Sequence, residues 1–283
     1  MRIEVKNLTY IYSPGLPYET KALDDISFTI ESGEFVGFIG HTGSGKSTLL
    51  QHLNGLLKPG SGQVLADGTD INAKTDEAKA LRRRIGLVFQ YPEYQLFEET
   101  VLKDVCFGPK NFGVSEEECV ERAKQALLLV GLDPKEKGEV SPFMLSGGEK
   151  RRVAIAGVLA MEPKVLILDE PTAGLDPKGR RDILTMIERI RKSRDLTIVL
   201  VSHNMDDIAE MATHVLVMDK GRLVMDGTPQ EVFSRGKELK AIGLSRPAAA
   251  EFMELLAAKG ADVSVNTLTI EAAEEEILKA FGK

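Results

Sequence analysis

Ile26, Phe28 and Ile30 alternate with Ser27, Thr29 and Glu31, the period of a strand with one buried face. The first thirty residues are read on this basis as antiparallel strands. The pattern then changes. Phe35-Val36-Gly37-Phe38-Ile39 is apolar without alternation, which predicts a strand buried on both faces. Gly40 to Thr48 follow it, and then a run with helical spacing that is expected to continue through Leu57. Two further double-buried strands are expected at Val165 to Leu168, ending in Asp169-Glu170, and at Thr197 to Val201, ending in Ser202-His203. Buried strands separated by helices, each with polar residues at its C-terminal end, predict an α/β parallel sheet with its site at the strand tips.

Between Thr100 and Ala160 strand patterns give way to helix-forming sequence, for example Ser115 to Val130. This predicts an inserted helical subdomain spanning about residues 95–162. His214 to Val224 is expected to be a hairpin turning at Lys220-Gly221. The core pattern ends near residue 242, and 243–283 form a separate extension with two helix signals. The first places Pro247 at position N1 and offers Phe252, Leu255 and Leu256 as its apolar residues. The second starts at Thr269 and carries Ile270, Ala273, Ile277 and Phe281 on one stripe.

Composition narrows the class of protein. Of 283 residues 43% are hydrophobic and 28% charged, a mixture that excludes a disordered chain. The net charge of −7 argues against broad electrostatic binding to nucleic acid. The only cysteines, Cys106 and Cys119, have no metal-ligand spacing, which fits a reducing compartment. No apolar run approaches the ~20 residues of a membrane helix, and the first six residues contain no apolar signal core.

Gly40-His41-Thr42-Gly43-Ser44-Gly45-Lys46-Ser47-Thr48 satisfies G-x-x-x-x-G-K-[ST]. Glycines let the backbone wrap an anion with its N–H groups turned inward, and the following helix adds its positive end. Lys46 is expected to reach the β- and γ-phosphates of a nucleotide, and the Ser47 hydroxyl to coordinate Mg²⁺. Asp169, at the tip of a buried strand, is placed to hold Mg²⁺ through water. Glu170 follows immediately and points to the opposite face, where a carboxylate can act as general base toward an attacking water.

Leu145-Ser146-Gly147-Gly148-Glu149 resembles the LSGGQ signature of ATP-binding cassette (ABC) ATPases, and other motifs of that family follow. Gln90 corresponds to its Q-loop, Ala173-Gly174-Leu175-Asp176 to its D-loop, and His203 to its switch histidine. Tyr12 sits where the family places an aromatic on adenine, with Tyr10 as the competing choice. The resemblance covers residues 3 to about 235. It implies a P-loop NTPase core of the ABC type at 1–242, with an antiparallel β subdomain, the inserted helical subdomain and the small C-terminal extension. It further implies two domains facing head to tail over two ATP molecules, each nucleotide closed from the partner side by Ser146, Gly147 and Gly148. Catalysis would fall to Lys46, Gln90, Glu170 and His203, with Ser47, Gln90 and Asp169 toward Mg²⁺ and Asp176 communicating between the chains. Glu149 departs from the pattern, which has Gln there; the effect is trivial if its side chain points to solvent and a modest weakening if it faces phosphate.

Tyr91 to Val101, Phe107 to Asn111 and Ala154 to Met161 are similar to the ATPases of energy-coupling factor (ECF) transporters, the second of two paralogues in particular. That family powers uptake of vitamins and metal ions. The likeness implies a peripheral protein on the cytoplasmic face of the cell membrane. Its expected partners are a paralogous ATPase in a heterodimer, a transmembrane coupling subunit and a substrate-capture membrane protein, with no nucleic acid. Glu93, Glu98 and Glu99 would form an acidic groove for basic coupling helices, and the extension a possible dimerisation element. The rival readings are a homodimeric ABC importer ATPase for another solute, and an ABC ATPase acting on nucleic acid or ribosomes. The second is disfavoured by the short interval between phosphate loop and signature, which has no sustained heptads.

Overall fold

The computed structural model describes residues 1–281; Gly282 and Lys283, the last two positions of the expected extension, lie outside the described residues. The chain begins with β1 (Ile3–Tyr12), β2 (Thr20–Ile30) and β3 (Phe35–Ile39), then α1 (Lys46–Leu53). After these come β4 (Ser61–Ala66), β5 (Thr69–Asp70), α2 (Asp76–Arg82) and β6 (Ile85–Val88). The helical stretch comprises α3 (Val101–Asn111), α4 (Glu116–Leu129), α5 (Pro134–Lys137) and α6 (Gly147–Leu159). The core resumes with β7 (Val165–Asp169), α7 (Pro177–Arg194), β8 (Thr197–Val201), α8 (Met205–Met211), β9 (His214–Asp219) and β10 (Arg222–Gly227). The chain closes through α9 (Pro229–Ser234), α10 (Gly236–Ala241), α11 (Ala248–Ala258) and α12 (Ile270–Phe281).

Two sheets result. One is antiparallel, in the order β2-β1-β4-β5; the other has the order β10-β9-β3-β8-β7-β6 and is parallel except for β10. The absence of alternation in β3, β7 and β8 now has a direct cause. Phe35 and Ile39, Leu166 and Leu168, and Ile198 and Leu200 enter a core shared with α6, α7 and the helical insertion. Their neighbours Val36 and Phe38, Val165 and Ile167, and Val199 and Val201 enter a second core under the antiparallel sheet and α1. Both faces of the central strands are therefore apolar, while β2, covered on one face only, keeps its alternation.

Helix α1 stops at Leu53, four residues short of the expected Leu57. Gly55 takes a left-handed φ of 75°, and its N–H bonds back to the His52 carbonyl at 3.1 Å, a glycine termination of the usual kind. The hairpin turns at Lys220-Gly221 as expected, with φ 45° and 79° as a two-residue turn requires. Its tip braces the phosphate loop, since the Gly221 N–H donates to the Ser44 carbonyl at 3.0 Å. Residues 61–82 supply β4, β5 and α2.

Pro247 is the N-cap of α11 rather than its first helical residue. The face of α11 that goes inward is Ala249, Ala250 and Met253; of the expected apolar residues Leu256 is half-buried, and Phe252 and Leu255 are exposed. In α12 Ala273 is buried and Ile277 half-buried, and the two ends of the expected stripe, Ile270 and Phe281, are exposed. Ala249, Met253 and Ala273 make a small cluster of their own. Leu244, Ala250 and Leu268 join the main core, and the Ala248 N–H donates to Asp206 at the start of α8 (2.7 Å).

Candidate active site

Four strand ends deliver the site. The phosphate loop leaves β3 through Gly40, where a Cβ would lie 2.5 Å from the Met218 carbonyl oxygen; no other residue fits. Gly45, at φ 102°, is the left-handed N-cap of α1. The Lys46 ammonium lies across the mouth of the loop and donates to the carbonyls of Gly40 (2.6 Å) and His41 (2.9 Å) and to Ser44 Oγ (3.4 Å). Burial lowers its pKa, an effect opposed by the nearby charges of Glu170 and Asp169. Thr42, Gly43 and Ser47 are exposed along the rim, and Thr48 is half-buried. His41 is held sideways, its Nε2 2.8 Å from Asp219 Oδ1 at the end of β9.

The end of β7 divides two carboxylates. Asp169 is buried, faces the loop and hydrogen-bonds Ser47, and its desolvation raises its pKa. The chain then swings off the sheet, because Glu170 takes a left-handed φ of 49°. Its two oxygens meet two other strand ends. Gln90 Nε2, just past β6, donates to Oε2 at 2.9 Å, and His203 Nε2, just past β8, stands 2.7 Å from Oε1. Sequence reasoning assigned Gln90, Glu170 and His203 separate tasks; the fold joins them on one carboxylate.

Of the two tyrosines, Tyr10 packs edge-on against His52 with ring centroids 4.7 Å apart. Tyr12 is the exposed one, its hydroxyl 3.3 Å from Thr48 Oγ1 at the start of α1. The remaining candidates lie apart from this cluster. Asp176 caps α7, accepting from the Gly179 N–H at 2.6 Å, and the Ser146-Gly147-Gly148 segment opens α6. The bonds these residues make stay within their own turns.

Sequence reasoning missed Arg151. It lies in the charged run Lys150-Arg151-Arg152, yet it is only 2% exposed. Its guanidinium grips Glu93 through two bonds of 2.7 and 3.1 Å and donates to the Pro171 and Ala173 carbonyls at 3.0 and 2.8 Å. One side chain thus ties α6 to the segment after Gln90 and to the segment after Glu170. The signal was its spacing from Ile155 and Leu159, both buried, at one and two helical repeats. Glu93 is accordingly not a member of a free acidic groove. Arg151→Ala is expected to destabilise the fold by about 3 kcal/mol, because Glu93 and two carbonyls lose their donor; a shift of the urea midpoint checks this.

A family model described as ABC transporter matches residues 23–173, from β2 past Glu170. The chain belongs to the ABC transporter family. It is 55% identical over 281 residues to the energy-coupling factor transporter ATP-binding protein EcfA2 of Clostridium tetani, covering 99% of this chain and 98% of that one. The protein of the same name from Clostridium acetobutylicum is 56% identical over the same shares. Among solved structures, cbiO1 from Clostridium perfringens, described as part of the ABC transporter complex cbiONQ, superimposes with a TM-score of 0.74. Its identity is 41%, over 89% of this chain and 98% of that one. The ATP-binding cassette MJ0796, solved as a dimer in a post-hydrolysis state with ADP and Pi, gives 0.69 at 31% identity over 80% of this chain and 98% of that one. As an ABC ATPase this chain binds and hydrolyses ATP. Among the described residues no helix is long and apolar enough to cross a membrane.

Proposed function

We propose that this ABC ATPase is the ATP-hydrolysing subunit of a membrane importer of the energy-coupling factor type, powering uptake of vitamins or metal ions through separate membrane proteins. The observation that carries the reading is the 55–56% identity, across nearly the whole length of both chains, to proteins named for that role. It acts from the cytoplasmic face of the cell membrane as a peripheral protein. Its partners are a paralogous ATPase in a heterodimer, a transmembrane coupling subunit and a substrate-capture protein. Residues 1–242 form the ATPase domain and 243–283 an element that pairs with the second ATPase. Exposed Phe252, Leu255, Ile270 and Leu278 support that assignment. Tyr94, 84% exposed, and Phe97, 56% exposed, stand beside the Gln90 segment as an apolar seat for the coupling subunit.

ATP lies on Gly40 to Thr48 with its base against Tyr12. Ser47, Asp169 and Gln90 would hold Mg²⁺, which when bound would neutralise developing charge on the phosphates. The donor set fits that ion. Among the described residues no three His, Cys, Asp or Glu form a protein cage, whereas Ser47 and buried Asp169 are bonded oxygen donors of the kind Mg²⁺ shares with phosphates and water. Glu170 accepts a proton from the attacking water, and Gln90 and His203 orient its two oxygens. Lys46 leaves the loop carbonyls for the β- and γ-phosphates.

Ser146, Gly147 and Gly148 close the nucleotide on the partner chain, and Asp176 reports between the two sites. Ser146→Arg is therefore expected to cut turnover of the assembled complex at least tenfold, a bulky cation replacing a small cap in a close interface. ATP affinity of the isolated chain stays within a factor of two. A collapse of that affinity would contradict the assignment of Ser146 to the partner's nucleotide.

Tagged purification from detergent-solubilised native membranes tests the whole reading. Recovery of a second, different ATPase with a multi-span protein is the expected result. Recovery of this ATPase alone with a pair of permease chains would favour a homodimeric importer, and recovery only with ribosomes or nucleic acid would overturn transport.

A further inference from the structure

Glu149 stands where the signature pattern has Gln, and its carboxylate does not face solvent idly. Oε2 accepts from the Ser146 backbone N–H at 2.9 Å and from the Ser146 hydroxyl at 2.8 Å. In return the Glu149 N–H donates to Ser146 Oγ at 3.3 Å. The other oxygen, Oε1, meets the Lys137 ammonium of α5 at 2.7 Å. Lys137 and the Ser146 bonds hold the carboxyl well below the usual range, down to about 2, so it is an acceptor at both oxygens at neutral pH.

A serine hydroxyl has a single proton to give. Here it is directed into Ser146's own helix turn, and one oxygen lone pair is already taken by the Glu149 N–H. A phosphate brought to this turn meets a hydroxyl that presents oxygen rather than hydrogen. To donate to the phosphate, Ser146 must withdraw its proton from an ionised carboxylate, a bond stronger than one to a neutral amide. We infer that the Lys137–Glu149 pair is a positioning device for the signature serine. It turns the Ser146 hydroxyl away from the partner's nucleotide and slows the composite site that this chain caps. The inference rests on the reading that Ser146 closes a nucleotide held by the partner chain.

A helix cap alone makes a different forecast. Glu and Gln serve equally as the third-position partner of an N-cap serine, so a purely structural role predicts that Glu149→Gln changes nothing. Positioning predicts a gain. In the assembled transporter, Glu149→Gln is expected to raise ATPase kcat/KM about fivefold, as the serine proton becomes available to a charged acceptor. The thermal midpoint should move little, since an ion pair still open to solvent on part of its surface contributes little stability. Lys137→Gln, which leaves the carboxylate without its counter-charge, is expected to lower kcat/KM about threefold. The Glu149→Gln gain should vanish in a Ser146→Ala background.

An unchanged or slower Glu149→Gln complex would overturn the inference, and so would a gain that persists without the Ser146 hydroxyl. If Ser146→Ala by itself left turnover intact, the composite-site reading would fall and the inference with it. Loss of turnover in Ser146→Ala together with a neutral Glu149→Gln would remove the inference alone.

Discussion

Replacing Glu170 by Gln is expected to lower ATP turnover of the assembled complex about a thousandfold, within the range lost with a general base, while ATP still binds. The geometry explains why the two effects separate. Lys46 and the glycine loop belong to β3 and α1, whereas Glu170 follows β7, so the bonds that shape the loop are untouched. Gln has the same shape as Glu, and its amide can still accept from Gln90 and remain beside His203, so the strand ends stay where they are. What disappears is the acceptor for the water's proton. On the proposed pairing of two ATPase chains, bound ATP that is not cleaved continues to bridge them. The variant should therefore elute with its partner ATPase in ATP, and the parent should not once its ATP is spent. Turnover within threefold of the parent would refute the assignment of Glu170 as the base.

The reason Glu170 could be singled out before any coordinates is that short apolar strands are strong signals. β3, β7 and β8 are five residues each and buried throughout, and the polar residues at their ends were fixed in place by the end of each run. The local spacing Asp169-Glu170 also separates the two carboxylates by face, which the left-handed turn at Glu170 then exaggerates. What spacing does not carry is convergence between elements. Gln90 and His203 lie on opposite sides of Glu170 in sequence, after β6 and after β8, and only the strand order β8-β7-β6 places both beside it.

What the sequence left unread has the same origin. Phe252, Leu255 and Leu256 are the large apolar residues that the sequence offers on α11, yet the helix buries Ala249, Ala250 and Met253, with Ala250 in the main core and the other two against Ala273 of α12. Which of these faces goes inward is decided by the neighbouring helices and not by side-chain size. Arg151 was hidden by its charged neighbours, although its partner Glu93 lies 58 residues away. A long-range pair of this kind has no local pattern. A buried cation with bidentate and carbonyl acceptors is satisfied only once the tertiary fold exists.

Lys46→Ala is the second large effect, and it falls on binding. Lys46 has three protons, and in this structure all three find loop acceptors, the carbonyls of Gly40 and His41 and the hydroxyl of Ser44. These bonds hold the loop open around the ammonium before any phosphate arrives. Its burial makes the charge costly, as the lowered pKa records, so an anion that replaces a carbonyl contact gains more from it than from an exposed lysine. Removing the side chain deletes that attraction and strips two buried carbonyls of their donor. ATP affinity is expected to fall about a hundredfold, roughly 3 kcal/mol, the sum of a charge-assisted bond and its electrostatic share. Thermal unfolding with and without ATP separates this from simple misfolding. The parent midpoint should rise with ATP concentration because the ligand binds only the folded chain. The variant should melt cooperatively, at a slightly lower temperature, and should not shift at ATP concentrations that saturate the parent. A variant that melts as a folded protein and shifts as far as the parent would show that the phosphates are held without Lys46. The backbone N–H groups of the loop and the N-terminus of α1 would then carry the binding alone.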